Sequence, residues 1–195
     1  MSDYKIKLAI GMPTTGMVKS ETMFSLCKML KDFPYDYDVI IQDGAVLHYN
    51  REVIVKEAMR YGCTHLLFID SDMSFEKDAA ITLLDRDKDI IGIHCNLRRF
   101  PLTSTVIMPE EKRARLKLDH PDGLTTCDSL GAGFLLIKLD VFKHIKEPWF
   151  FWGTNDKGEL TIGEDFWFCK KAREVGYEIW VDFSVPIKHI GDYHY

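Results

Sequence analysis

Four short apolar runs frame this chain: KIKLAI (5–10), DVIIQ (38–42), HLLFI (65–69) and DIIGI (89–93). Each is stopped by glycine, aspartate or histidine, and the intervals between them carry apolar residues at helical spacing. Lys5–Ile10 alternates polar and apolar residues before Gly11 and Pro13, the pattern of a strand that ends in a loop. Met23, Leu26, Cys27 and Leu30 mark a helix after Ser20, which is expected to be its N-cap. Ile54, Ala58 and Tyr61 predict a second helix over Arg51–Tyr61 closed by Gly62, and Ala79, Ala80, Leu83 and Leu84 predict a third. Strands alternating with helices of about ten residues build βαβ units around a mostly parallel sheet flanked by helices.

The pattern loosens after Cys95. Residues 96–123 mix strand-like pieces with charge and proline; order returns at GAGFLLIKLDVFKHI as a strand running into a short helix. PWFFWGTNDKGEL is aromatic and loop-rich, GEDFWFCKKAREVG is helical, and YEIWVDFSVPIKHIG supplies the last strands. The chain therefore reads as one α/β domain over 1–195 with an irregular second half. At 195 residues, 46% apolar and 28% charged, it has the size and composition of an ordinary globular domain. A net charge of −5 argues against a wholesale grip on nucleic acid. No run approaches the roughly 18 apolar residues of a membrane span, and no signal-peptide core precedes the first strand, so a cytoplasmic location is expected. Cys27, Cys63, Cys95, Cys127 and Cys169 are scattered without a C-x-x-C pair and read as reduced, mostly core thiols.

The third run drives straight into Asp70 and Asp72, two like charges one residue apart that need an offsetting partner. Ligands of open α/β sheets bind beyond the carboxyl ends of the strands, which is where Asp70 falls. One reading has the pair capping the helix after Phe75. A P-loop reading fails, because Gly16 is followed by Met17 and Val18 before Lys19 and the ammonium misses the phosphate cradle. A phosphatase reading, with Asp70 as nucleophile, Asp72 as acid/base and Ser74 in the third motif position, stays open, although two βα units precede Asp70. A D-x-D metal site is the remaining reading: two carboxylates hold a hard cation that offsets the charge of a departing diphosphate.

RYGCTHLLFIDSDMSF, DKDIIGIH, LGAGFLLIKLDVF, PWF, GEDFWFCKKAREVGYEIWVD and KHIG occur in the order seen in GT-A-fold glycosyltransferases. The chain resembles compact family-2-type members from bacteriophages and bacteria, from about its first strand to His189. The resemblance implies a GT-A-like, Rossmann-like domain, with residues 1–96 as the nucleotide-sugar half and 97–195 as the acceptor and catalytic half. It implies transfer from a nucleotide-diphosphate sugar, a UDP-sugar foremost, to an acceptor hydroxyl, with inversion favoured. Asp70 and Asp72 would be the D-x-D pair with Ser71 beside the donor, and His189 would be a third ligand to Mn²⁺ or Mg²⁺. Asp165 would be the general base and Glu164 a supporting acid. Their place in the first turn of a helix should depress the pKa of Asp165.

By the same resemblance Pro13, Thr14 and Thr15 would receive the nucleotide, Asp43 would read a base or ribose edge, and Arg51 would meet the base or diphosphate. Glu52 stands where the family commonly has asparagine, so Arg51 has Glu52 or another acid as an alternative partner. Gly131, Ala132 and Gly133 would let backbone approach the donor sugar, or would serve a tight turn. Of the aromatic run Trp149, Phe150, Phe151 and Trp152, at least two belong in the core and the rest have ring faces that stack on sugars. The acceptor class stays open among glycan, small molecule, protein and modified DNA. Arg98, Arg99, Lys112, Arg113, Arg115 and Lys117 read by default as a solvated surface. The chain is short for this fold, so an acceptor held by a partner chain or a second copy is expected; a non-catalytic module that binds nucleotide sugar stands as a separate alternative to the enzyme.

Overall fold

The computed structural model describes residues 5–97, 103–110 and 123–191. The charged middle segment with Arg98, Arg99, Lys112, Arg113, Arg115 and Lys117 lies outside them. In chain order the elements begin with β1 (Lys7–Thr14), α1 (Ser20–Lys31), β2 (Asp36–Asp43), α2 (Leu47–Arg60), β3 (His65–Ile69), β4 (Met73–Phe75), α3 (Ala79–Asp85) and β5 (Ile90–Ile93). The second half holds β6 (Val106–Ile107), β7 (Leu124–Cys127), β8 (Ser129–Leu130), β9 (Phe134–Lys138), α4 (Val141–His144), β10 (Gly153–Thr154), β11 (Leu160–Ile162), α5 (Glu164–Glu174), β12 (Ile179–Asp182) and β13 (Ile187–His189).

Seven strands form the central sheet in the order β2-β1-β3-β9-β5-β12-β7. β2, β1, β3, β5 and β12 run in one direction; β9 and β7 run against their neighbours. The mostly parallel α/β sheet is thus borne out. Pattern alone does not reveal that β9 inserts antiparallel between β3 and β5. Strands buried on both faces explain the unbroken apolar runs: Leu66, Leu67, Phe68 and Ile69 are fully buried. Ile54, Val55 and Ala58 of α2 share one core with Phe168 and Ala172 of α5. Leu26 and Met29 of α1 and Ala79, Ala80 and Leu83 of α3 fill the opposite face.

Three local expectations change. Ser20 is the first residue of α1 and not its cap; its hydroxyl bonds Glu21, while the flanking Lys19 is extended. α2 begins four residues before Arg51, at Leu47, and ends as expected with Gly62 at φ +67°. Residues 153–162 are a two-stranded hairpin, β10 against β11, and not a plain loop. Neither Asp70 nor Asp72 caps a helix, because β4 intervenes and α3 starts only at Ala79. Cys63, Cys95, Cys127 and Cys169 are buried, Cys27 is exposed, and all five are free thiols. No described helix is long and apolar enough to cross a membrane.

Candidate functional site

β3 ends at the centre of the sheet and delivers Asp70, Ser71 and Asp72 into a loop that three other segments hold. The Asp70 amide donates to the Gly133 carbonyl (3.0 Å), and the Lys19 amide donates to the Ser71 carbonyl (2.8 Å). The Ser71 carbonyl also accepts from the Thr22 hydroxyl (3.1 Å), and the Asp72 carbonyl accepts from the Ile190 amide (2.8 Å). β4 leaves this loop and pairs antiparallel with β13, placing His189 opposite Met73. That pairing carries an imidazole from the far end of the chain to Asp72: His189 Nε2 lies 3.2 Å from Asp72 Oδ1. His189 Nδ1 lies 3.1 Å from the Asn96 carbonyl oxygen. A carbonyl only accepts, so Nδ1 is the protonated nitrogen. Nε2 then turns toward Asp72 either as a lone pair or as the second N–H of an imidazolium.

A cavity of about 620 Å³ opens at this sheet end, within the range of small-molecule sites. Pro13, Thr14 and Thr15 from the end of β1, with Asp70, Ser71, Asp72 and His189, line it as a group. Lys19, Ser20, Leu47 and Asn50 line it too, although sequence reasoning did not select them. The Asn50 amide donates to the carbonyls of Gly44 (2.8 Å) and Thr14 (3.3 Å), tying the ends of β1 and β2 together. A Cβ on Gly44 would stand 2.6 Å from Asn50 Oδ1, which is the local reason for glycine there. Asp43 is exposed, in register with Thr14 but outside the cavity wall.

Arg51 is 1% exposed and is not among the residues that line the cavity. Its Nη2 donates to Asp70 Oδ1 at 2.9 Å, its Nε lies 3.4 Å from Glu164 Oε1, and its guanidinium covers the Phe68 ring at 5.0 Å. Burial works against the charge, but Asp70 and Glu164 more than offset it and hold the guanidinium above its ordinary pKa. Glu52 is not its partner; that carboxylate accepts from the Phe150 amide at 2.6 Å. One buried cation thus joins the carboxylate at the end of β3 to the first turn of α5.

Glu164 is buried, and its other oxygen accepts from Trp152 Nε1 at 3.0 Å. Asp165 Oδ1 accepts from the Phe166 amide at 2.7 Å. Burial and the neighbouring Glu164 charge raise the Asp165 pKa to about 6, against the lowering effects of Arg51 and the Phe166 amide. The expected depression by the helix N-terminus is therefore overturned: the dipole is outweighed by loss of water and a like charge one residue away. Neither carboxylate lines the cavity itself.

Gly133 packs against the site, where a Cβ would stand 3.4 Å from Asp70 Oδ2. Gly131 packs on Thr105, and Ala132 is buried; neither lines the cavity. Trp149 and Phe150 are core residues, whereas Phe151 and Trp152 are exposed. Asp70, Asp72 and His189 share the cavity, yet with Asp70 drawn to Arg51 no three acidic, His or Cys side chains are gathered into a metal-binding cluster among the described residues.

No protein-family model matches this chain, and no curated protein matches it either. Solved structures do. A197 from STIV is 18% identical with a TM-score of 0.65, covering 96% of this chain and 86% of that one. GalNAc-T7, solved with UDP, GalNAc and Mn²⁺, is 10% identical with a TM-score of 0.62 over 97% of this chain and 44% of that one. S. aureus TarS 1-349, solved with UDP-GlcNAc, is 16% identical with a TM-score of 0.58, covering 97% and 60%. The chain therefore spans about half the length of the latter two, and the likeness shows a shared GT-A-like α/β fold.

Proposed function

We propose that this chain is a metal-dependent glycosyltransferase that moves a sugar from a nucleoside-diphosphate sugar, a UDP-sugar foremost, to an acceptor hydroxyl with inversion. One observation carries the reading: Asp70, Ser71, Asp72 and His189 share a cavity with the β1 loop, and Arg51 links Asp70 to Glu164 beside Asp165. The UDP and Mn²⁺ of GalNAc-T7 and the UDP-GlcNAc of TarS support the choice of donor and cation. Residues 1–96 then serve the donor and 97–195 complete the site, with His189 closing the cavity from the second half.

The donor set fits a divalent cation. With Nδ1 committed to the Asn96 carbonyl, neutral His189 directs a lone pair toward a carboxylate oxygen 3.2 Å away, and two such acceptors repel unless a cation or proton lies between them. Asp72, His189 and Asp70 would hold Mn²⁺ or Mg²⁺, which supplies charge stabilisation for the leaving diphosphate. Pro13, Thr14 and Thr15 receive the nucleoside, with Asp43 at the rim beside them. Lys19, the residue before α1, lines the same cavity.

Asp165 takes the proton of the acceptor hydroxyl. A carboxylate with a pKa near 6 is still ionised at neutral pH and is a stronger base than one at its ordinary value. Glu164 fixes its neighbour by bonding Arg51 on one oxygen and Trp152 on the other, which makes it a positioning residue. Hydrolysis of a nucleotide-sugar panel, with Mn²⁺ and with chelator, tests the reading. Slow Mn²⁺-dependent hydrolysis of one UDP-sugar is expected. Turnover of a generic aryl phosphate that needs Asp70 would replace this function with the phosphatase, and donor binding without hydrolysis would leave a binding module.

A further inference from the structure

Arg51 is a buried cation with more acceptors around it than it uses. Its side chain is 2% exposed, and the carboxylates of Asp70, Glu164 and Asp165 all act on its charge. Its one short hydrogen bond among the described residues runs from Nη2 to Asp70 Oδ1 at 2.9 Å; Nε lies 3.4 Å from Glu164 Oε1. Nη1 is buried with no hydrogen-bond partner among the described residues. Buried polar groups are normally paired, so this guanidinium is held firmly at one corner and loosely at the others. The Phe68 ring beneath it, 5.0 Å away, supports the flat cation without fixing its direction in the plane. Asp70 is the residue that the short bond commits. Asp72 and His189 stand 3.2 Å apart at the cavity, with the Ile190 amide bonded behind Asp72. Asp70 lines the same cavity, yet its Oδ1 is bonded to Arg51, and its Oδ2 lies where a Cβ on Gly133 would stand 3.4 Å away. A guanidinium and a divalent ion are like charges that compete for one carboxylate, so each weakens the hold of the other.

We propose that Arg51 is a built-in competitor for Asp70 that sets the affinity of the site for its divalent cation. Arg51 gives up Asp70 when the cation binds and pairs instead with Glu164 and Asp165, the two carboxylates its loosely held nitrogens already face. The inference rests on the reading of Asp70, Asp72 and His189 as the metal ligands. It makes Arg51 a positioning residue whose effect has a definite sign. A side chain that only braced Asp70 would loosen a ligand when removed, and the metal would bind more weakly. A competitor releases a ligand when removed, and the metal binds more tightly.

The test is a Mn²⁺ titration of the full chain without nucleotide, read from the electron-spin resonance of the free ion. Arg51→Met should bind Mn²⁺ at least about tenfold more tightly than wild type, since a like charge is removed and Asp70 is released. Arg51→Lys keeps a cation beside Asp70 and should stay within about threefold of wild type. Arg51→Met with Glu164→Gln loses one positive and one negative charge, so the local net charge is unchanged. It should still bind at least about threefold more tightly, because a charge-assisted bond to Asp70 no longer has to be broken. Thermal midpoints identify the folded variants, and the double variant carries the comparison if Arg51→Met does not fold. In the ¹⁵N-labelled wild type, the Arg51 Nε–H signal, identified by its loss in Arg51→Lys, should move on saturation with Mg²⁺. Equal or weaker Mn²⁺ binding in the methionine variants overturns the proposal, as does tighter binding in Arg51→Met alone, which added negative charge explains. An Arg51 signal that Mg²⁺ leaves in place overturns it as well. Wild-type binding that is lost in Asp72→Ala but unchanged in the Arg51 variants removes this inference and keeps the metal site. No Mn²⁺ binding by any of these proteins, with or without UDP, removes both.

Discussion

Replacing Arg51 with methionine removes one buried cation and leaves two carboxylates facing its place. Arg51 side-chain exposure is 2%, against 10% for Glu164 and 30% for Asp70, so Glu164 is stranded out of water while Asp70 retains some hydration. Removing one member of a buried ion pair costs about 3–5 kcal/mol. The partial exposure of Asp70 places Arg51→Met at the lower end, about 3 kcal/mol, or roughly 6–12 °C of melting temperature for a domain of this size. Arg51→Lys keeps the charge but not the fork that reaches both partners, and should fall between wild type and Arg51→Met. Adding Glu164→Gln to Arg51→Met removes the more deeply stranded charge and should recover part of the loss. Urea unfolding of the four proteins gives the differences directly. A loss below about 1 kcal/mol for Arg51→Met, the range of exposed ion pairs, refutes the claim that Arg51 ties the two halves of the site together.

Two further outcomes follow from burial. The Asp165 carboxyl titrates near 6 in the folded chain against 3.8 when free, so the folded state holds this proton more tightly than the unfolded one. Its contribution to stability is present below pH 3.8 and lost as the pH rises through 6; Asp165→Asn should flatten that part of the pH–stability curve of the metal-free chain, measured by urea unfolding. Among the five thiols only Cys27 is exposed, while burial pushes Cys63 to about 11 and Cys169 to about 12. Native protein should thus release one equivalent in a rapid thiol assay and the rest only on unfolding, and Cys27→Ser should abolish the rapid phase.

Local periodicity made the strands and helices of the first half legible, because a strand buried on both faces has to be apolar throughout. Strand direction was not legible. Nothing in FLLIK tells an antiparallel β9 from a parallel one, since its neighbours β3 and β5 are remote in sequence. Asp70 and Asp72 announced themselves by standing where an apolar run stops. Arg51 stood out only through the resemblance, and its partners were not legible, because they lie 19 and 113 residues away and only the fold joins them. The sign of the Asp165 shift failed for a related reason: the helix dipole is a local quantity, whereas burial depends on what the whole fold packs around the carboxyl. Asn50 and Lys19 carried no pattern that separates a cavity wall from a helix surface.

Isothermal titration of UDP into the full chain, with Mn²⁺ and with excess chelator, decides whether Asp70, Asp72 and His189 form a metal-dependent nucleotide site. Saturable UDP binding that needs Mn²⁺ is expected, and it should be lost in Asp72→Ala and His189→Ala, each checked for folding by its melting temperature. Equal binding of UDP in the presence of chelator, or unchanged Mn²⁺-dependent binding by folded Asp72→Ala, would contradict it.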